Sequence, residues 1–128
     1  MSSGKCRVFV IYKHSLLAEG VMALLSQQQA VEVTGAETDT ATALARVRDL
    51  HPDVVILDCT EGDPAYTIGC LLTECPGTRL ITLSLKNDRM EIYDNYEVNT
   101  PHPADLMKAI LLAREPESRN PAEGQAHV

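Results

Sequence analysis

The sequence predicts an α/β fold in which a parallel sheet carries helices on both of its faces. Short apolar runs alternate with helical patterns along the chain, and the run at 54–57, Val-Val-Ile-Leu, contains no polar residue. A strand without polar alternation is typical of a parallel sheet that is covered on both sides. Repeated strand and helix patterns form right-handed crossovers, which place the strands side by side and the helices outside them.

The first half of the chain holds three predicted strands and two predicted helices. Leu17, Val21 and Leu24 recur at helical spacing. The second helix must end before Pro52, because the residue that precedes a proline avoids the helical region. The expected elements are a strand at 7–12, a helix capped by His14 or Ser15 that runs to about 28, an edge strand at 31–36 ended by Gly35, a helix capped by Asp39 or Thr40, and a strand at 52–58.

The second half of the chain has weaker patterns. Its expected elements are a helix at 66–74, a strand at 79–84, a short fifth strand at 96–98 and a last helix from Pro103 to near Arg114. The segment 85–95 has room for only a turn or two of helix. From Glu115 onward the sequence is polar and has no periodicity. Residues 5–114 are therefore the predicted domain, and 115–128 a disordered tail or the start of a linker.

Charge and composition exclude several classes of function. The formal net charge of −7 argues against binding of nucleic acid or an anionic membrane by this chain alone, since both require a basic surface. No apolar run approaches ~18 residues and no leader pattern follows Met1, which predicts a cytoplasmic protein without a membrane span. The sequence contains no Walker loop, GxSxG elbow or HExxH motif, so we do not expect an enzyme.

The four cysteines offer one alternative function. Their spacing is not that of a zinc site or a thioredoxin-type motif. Cys59 follows Asp58, and Cys70 and Cys75 flank the end of the third predicted helix. A thiol-based redox sensor needs an accessible thiolate of low pKa with a resolving partner. The competing interpretation is that these cysteines are small buried apolar residues.

Asp58 is the leading candidate for a functional residue. It ends the apolar strand that begins at Pro52, and open parallel sheets bind their ligands at the carboxyl ends of their strands. Three segments resemble response-regulator receiver domains of the NarL/FixJ (LuxR-type) family. They are His14-Ser15-Leu16-Leu17-Ala18-Glu19-Gly20-Val21-Met22-Ala23-Leu24-Leu25, Pro52-Asp53-Val54-Val55-Ile56-Leu57-Asp58 and Pro103-Ala104-Asp105-Leu106-Met107-Lys108-Ala109-Ile110.

The resemblance covers nearly all of residues 6–114 and implies a flavodoxin-like (βα)5 fold. That fold has a five-stranded parallel sheet of order 2-1-3-4-5, with Asp58 at the position that accepts a phosphoryl group. The segment between Ser84 and Asn99 is about two helical turns shorter than in the family. The resemblance therefore also implies a fourth helix that is shortened or replaced by a loop.

Several family positions are altered in this chain. Where the family has two acidic residues that hold Mg²⁺, this chain has Tyr12 and Lys13, and where the family has a lysine it has Asn99. Ser84 retains the hydroxyl at the end of the fourth strand and is either the equivalent of the family's switch residue or an ordinary strand-end serine. Mg²⁺ is normally held by one or two carboxylates and neutralises the phosphoryl oxygens during transfer. We therefore expect weak or absent Mg²⁺ binding, no cofactor and no phosphorylation of Asp58.

Lys13 allows two interpretations. Its ammonium could pair with Asp58 in place of Mg²⁺, lowering the pKa of the carboxyl, or it could extend into solvent and leave Asp58 an ordinary strand-end acid.

The sequence thus predicts an atypical receiver domain in bacterial signalling and transcription regulation that works through contact with a protein partner or in a homodimer. DNA would be bound only through a C-terminal helix-turn-helix domain outside this chain. A redox sensor or a stand-alone binding module on the same fold are the alternatives.

Overall fold

The computed structural model describes residues 4–94, 97–99, 102, 106, 107 and 110, with the backbone alone at 97–99. The expectations for Tyr96, for Pro103 and for the tail from Glu115 lie outside these residues. The helices that the structure bounds are α1 Ser15–Ser26, α2 Thr40–Leu50 and α3 Ala65–Glu74. The strands are β1 Cys6–Ile11, β2 Val31–Glu37, β3 Val54–Asp58, β4 Arg79–Ser84, β5 Arg89–Asp94 and β6 Glu97–Asn99.

The first four strands pair in parallel in the order β2-β1-β3-β4. This order and the flavodoxin-like fold class confirm the sequence prediction. The ends of α2 follow from local chemistry. Asp39 caps its N-terminus by accepting from the backbone N–H of Thr42 at 2.9 Å. His51, in the left-handed region at φ 48°, ends the helix immediately before Pro52.

Two apolar clusters lie on the two faces of the sheet. On one face, α1 packs through Val21 and Leu25, together with Leu106 and Ile110, two described residues in helical conformation. On the other face, α2 and α3 cover the sheet, and Phe9 is fully buried there. This double cover explains why β3 is apolar at every position before Asp58. Within the described part of the chain, no helix has the length and apolar character needed to cross a membrane.

The region after β4 departs from the prediction of five parallel strands and a shortened fourth helix. β5 runs antiparallel to β4, and β6 runs antiparallel to β5, which gives a six-stranded mixed sheet. Residues 85–88 form the turn, in which Asp88 adopts φ 52°, a conformation that Asp tolerates better than most residues. Met90 and Ile92 are buried and alternate with more exposed neighbours. This period of two favours a strand over a helix.

Gly35 lies where β1 and β2 change register. The pairing shifts between Val8 and Phe9, so that Thr34 is the extra residue of a bulge. A Cβ atom on Gly35 would lie 2.8 Å from Cε2 of Phe9 and 2.9 Å from Nη2 of Arg46. The Arg46 guanidinium stacks 5.2 Å from the centre of the Phe9 ring. Gly35 therefore makes room for this pair and does not end the strand, which continues to Glu37.

We predict that Gly35→Ala lowers the free energy of unfolding by about 1–3 kcal/mol, because the buried Phe9 ring must shift to admit the methyl group. Gly69→Ala is the matched control. Gly69 lies inside α3 with open space around it, and the substitution should raise the free energy of unfolding by about 0.5–1 kcal/mol. Urea denaturation of both variants checks the prediction. Equal changes in the free energy of unfolding at the two sites would contradict it.

Candidate functional site

Asp58 lies at the carboxyl end of β3, opposite the turn that joins β1 to α1. Its Oδ2 atom accepts from the backbone N–H of Lys13 at 3.0 Å and of His14 at 3.0 Å. The same oxygen lies 3.1 Å from Nδ1 of His14. Its Oδ1 atom accepts from the backbone N–H of Thr60 at 2.9 Å. Three donors thus converge on Oδ2 and one on Oδ1.

The environment of Asp58 keeps its carboxylate ionised. Burial raises the pKa of the carboxyl, but the hydrogen bonds from Thr60, the Lys13 backbone and His14 outweigh burial and lower the pKa to about 2. The side chain is 1% exposed. Asp58 is therefore a covered, charged and fully hydrogen-bonded group.

His14 supplies the side-chain partner of Asp58. Because an ionised carboxylate only accepts hydrogen bonds, Nδ1 of His14 carries the proton in this contact. The hydrogen bond to Asp58 raises the pKa of His14, partial burial opposes the rise, and the charges of Asp58 and Glu61 add to it. Glu61 approaches the other ring nitrogen, with Oε2 3.6 Å from Nε2. His14 also precedes α1, but its ring makes no capping hydrogen bond there because it is turned to Asp58.

The pairing of the Lys13 ammonium with Asp58 is not found. The Nζ atom of Lys13 instead donates to the carbonyl oxygen of Thr38 at 2.8 Å and lies 3.4 Å from Oγ1 of Thr40. Lys13 contacts Asp58 only through its backbone N–H. The reason is the direction of the chain, since the turn after β1 aims its N–H groups at β3 and its lysine side chain toward the start of α2.

The residues beside Asp58 differ from the acidic pair that holds Mg²⁺ in the resembled family. A cleft of about 160 Å³ adjoins Asp58, and its lining includes Lys13, Glu61 and Asp63. The side chain of Tyr12, at the other altered acidic position, packs against the apolar cluster under α1. Asp63 is already engaged, accepting from the backbone N–H of Ala65 at 3.0 Å. In the part of the chain that the structure describes, no three His, Cys, Asp or Glu side chains are grouped to hold a metal.

Thr60 connects Asp58 to the hairpin, and Ser84 lies within that hairpin. Ser84 ends β4 and is half-buried, and it pairs with Arg89 across the β4–β5 ladder. Thr60 makes the closer link, since its N–H binds Asp58 and its Oγ1 accepts from the backbone N–H of Leu85 at 3.0 Å. The loop after β3 is thereby tied to the first residue of the hairpin turn.

Asn99 does not share the site. Asn99 pairs with Ile92 of β5, and Ile92 pairs with Ile81 of β4. Asp58 instead pairs with Leu83, two residues further along β4. Two strands also separate β6 from β3. Strand spacing alone puts the Asn99 backbone about 14 Å from β3. The inserted strand β5 is the physical reason that this position has left the neighbourhood of Asp58.

Cys59 and Cys75 lack the environment of a reactive thiol. None of the four cysteines, all of which the structure describes, forms a disulfide. Burial and the negative charges of Asp58 and Glu91 raise the pKa of the Cys59 thiol to about 11. Burial and Glu74 also raise the pKa of Cys75. Cys70 is half-buried and packs against the cluster under α2 and α3. Cys59 and Cys75 are thus the reverse of the low-pKa thiolates that a redox sensor needs.

Sequence reasoning missed His14 and Thr60 as partners of Asp58. The signal for His14 was present, because it directly follows the altered acidic pair and so comes to the same sheet edge as Asp58. Thr60 carried a weaker signal, a hydroxyl residue two positions after a strand-end aspartate, where side chain to backbone turns are common.

A sheet of order 2-1-3-4 with a carboxylate at the end of its third strand is the fold of response-regulator receiver domains. No protein-family model matches the chain. The response regulator protein VraR of Staphylococcus epidermidis is 22% identical over 121 residues, which are 88% of this chain and 58% of VraR. The chain therefore spans little more than half of this curated relative.

Solved structures of two response regulators also match this fold. The signal receiver domain of the response regulator NarL from Mycobacterium tuberculosis is 28% identical, with a TM-score of 0.56 over 85% of this chain and 77% of that one. The response regulator RcsB of Salmonella typhimurium matches with a TM-score of 0.60 at 21% identity, over 86% of this chain and 48% of RcsB.

We predict that Asp58→Asn lowers the pKa of His14 toward its usual value, because the hydrogen bond to Asp58 is the largest cause of the rise. In the wild type, the raised pKa stabilises the fold below the usual histidine pKa, and this contribution is lost as the pH rises through the folded value. The Asp58 contribution also stabilises the fold but has the opposite pH dependence, since it is present above the usual pKa of the carboxyl and is lost as the pH falls toward about 2.

An NMR titration of the His14 ring measures the first effect. Glu61→Gln is the control and should lower the pKa of His14 less, since Glu61 is the weaker of its two partners. An equal or larger fall in Glu61→Gln would contradict the assignment of Asp58 as the main partner.

Proposed function

We propose that this chain is a receiver-type domain of bacterial signalling whose output does not depend on phosphorylation of Asp58 and which acts through protein–protein contact. The observation that carries the proposal is the carboxylate itself, which is 1% exposed and already accepts from four donors. A phosphoacceptor must instead offer an oxygen lone pair to an incoming phosphoryl group.

Charge supports the same proposal. Phosphoryl transfer depends on neutralising the charge that is spread over the phosphoryl oxygens, which Mg²⁺ does where carboxylates hold it. Here Tyr12 and Lys13 stand in place of that acidic pair, and the turn after β1 brings the backbone of Lys13 and the following residue, His14, to Asp58. His14 already neutralises Asp58, and its cationic form is favoured by the same contact. Neither group recruits a divalent cation, and both disfavour its approach.

A partner protein is a better fit than DNA for the described domain. The net charge of −7 opposes contact with phosphate groups. The fold of this chain matches about half of RcsB, a response regulator that interacts with DNA. We therefore assign any contact with DNA to a further domain, which agrees with the expectation of a C-terminal helix-turn-helix domain outside this chain. We also infer that the domain is not itself an enzyme and works in the cytoplasm.

The proposal predicts that the full chain gains no phosphoryl mass when it is incubated with Mg²⁺ and acetyl phosphate, because Asp58 is covered and its hydrogen-bond donors compete with an incoming phosphoryl group. Intact mass spectrometry gives the readout. Amide NMR spectra with Mg²⁺ and beryllofluoride should likewise show no shifts at Lys13, Asp58 or Thr60.

Asp58→Asn is the matched control, because it keeps the size of the side chain and removes the only candidate acceptor. A stoichiometric adduct in the wild type that is absent in this variant would overturn the proposal. A receiver domain that is known to be phosphorylated, treated in parallel, confirms that the donor is active.

A further inference from the structure

A small polar pocket lies between the start of α3 and the β4–β5 hairpin. It encloses about 200 Å³. Pro64 and Ile68 contribute its apolar side, and Asn87, Arg89 and Glu91 of the hairpin contribute its polar side. Sites for drug-sized ligands enclose roughly 300–1,000 Å³. This pocket therefore has the size for a smaller molecule that combines polar groups with a short apolar part.

The strand register places the polar side chains of the pocket at two neighbouring levels. Ser84 pairs with Arg89, and Thr82 pairs with Glu91, across the β4–β5 ladder. Residues two apart on a strand share a face, so these levels lie about 7 Å apart along the strands. The two charged side chains lean toward each other, with Nη2 of Arg89 3.5 Å from Oε2 of Glu91. The pocket therefore presents a positive and a negative group side by side.

These groups keep hydrogen-bonding capacity for a ligand. The Arg89 side chain is 59% exposed and that of Glu91 29%, and an exposed ion pair of this length contributes little to stability. A guanidinium has five N–H donors, and a single one approaches Glu91. Glu91 is held in position by the Tyr93 hydroxyl, which donates to its Oε1 at 3.1 Å. Within the described part of the chain, neither Ser84 nor Asn87 uses its side chain in a hydrogen bond.

We propose that this pocket binds a small free α-amino acid in its zwitterionic form. The carboxylate and the ammonium of an α-amino acid are attached to the same carbon, so its charges lie side by side, as those of Arg89 and Glu91 do. The ligand carboxylate accepts from Arg89, the ligand ammonium donates to Glu91, and a short side chain packs against Ile68. A ligand with a single charge would satisfy one of the two groups and be repelled by the other.

A bound amino acid would connect α3 to the hairpin that stands where the resembled family has its fourth helix. A ligand that binds only the folded chain stabilises it, and the effect grows with the ligand concentration. The amount of folded protein would then follow the concentration of the amino acid. This inference goes beyond the function proposed above and does not depend on it, because the pocket uses none of the groups that donate to Asp58.

Amide NMR titrations of the full chain test the site. The probes are glycine, L-alanine, L-serine and L-valine, each added alone, and acetate and methylammonium are the single-charge controls. We expect saturable shifts at Cys59, Ser84 and Glu91 with at least one of the amino acids. The dissociation constant should be roughly millimolar, since a ligand of so few atoms makes few contacts. Acetate and methylammonium should bind at least about tenfold more weakly, because each lacks one of the two charged contacts.

Two substitutions in the pocket and one outside it sharpen the test. Arg89→Gln and Glu91→Gln should each raise the dissociation constant of the amino acid roughly tenfold, since each removes one charged contact. In Arg89→Gln the amino acid should bind no more tightly than methylammonium. Arg48→Gln is the matched control, because Arg48 forms a similarly exposed ion pair with Glu74 outside the pocket, and it should leave the dissociation constant unchanged.

The side chain of Arg89 is too exposed to support the core, so circular dichroism should show the same fold in Arg89→Gln as in the wild type. The absence of saturable shifts with all four amino acids overturns the proposal. A wild type that binds acetate or methylammonium as tightly as the amino acids also overturns it, as does equal weakening by Arg48→Gln and Arg89→Gln. None of these results bears on the acetyl phosphate experiment, so the two proposals fail separately.

Discussion

The hydrogen bonds to the Asp58 carboxylate hold together three segments that are far apart in the sequence. Three of its four donors lie in the turn after β1, one lies in the loop after β3, and through Thr60 that loop reaches the turn after β4. An ionised carboxylate is costly to bury unless it is neutralised and fully hydrogen-bonded. Removing any of these donors would leave part of that cost uncompensated. The positions of the strand ends therefore depend on this one group.

Much of the fold could be predicted because its signals are local. The all-apolar run of β3, the helical spacing in α1 and the Asp39 cap each depend on a few neighbouring residues, and the structure confirms them. The hairpin could not be recognised in the same way. Its buried residues Met90 and Ile92 form only a short alternation, and the family resemblance favoured a helix there. Tertiary pairing with β4 decided the outcome.

The partners of Asp58 were harder to predict than its position. Sequence order places Lys13 and His14 equally close to the strand end, and charge alone favoured the lysine. Backbone direction reversed that choice, because the turn points its N–H groups and the imidazole at Asp58 while the Lys13 ammonium reaches Thr38. The direction of a side chain in a turn depends on backbone angles that residue types do not specify. The sequence therefore could not predict which of the two side chains contacts Asp58.

In the function proposed above, the covalently attached imidazole of His14 takes the place of an exchangeable metal, which changes what the site can do. A carboxylate beside a metal site can be without metal, next to a bound metal or phosphorylated, and each state places a different charge beside the hairpin. His14 is part of the chain, so its charge varies only with proton binding, and its contact with Asp58 favours the charged form. Such a site holds the loop at Thr60, and with it Leu85, in one arrangement. On the function proposed above, a receiver fold fixed in this way recognises its partner constantly, and its regulation comes from the amount of protein or from the partner instead of from phosphorylation.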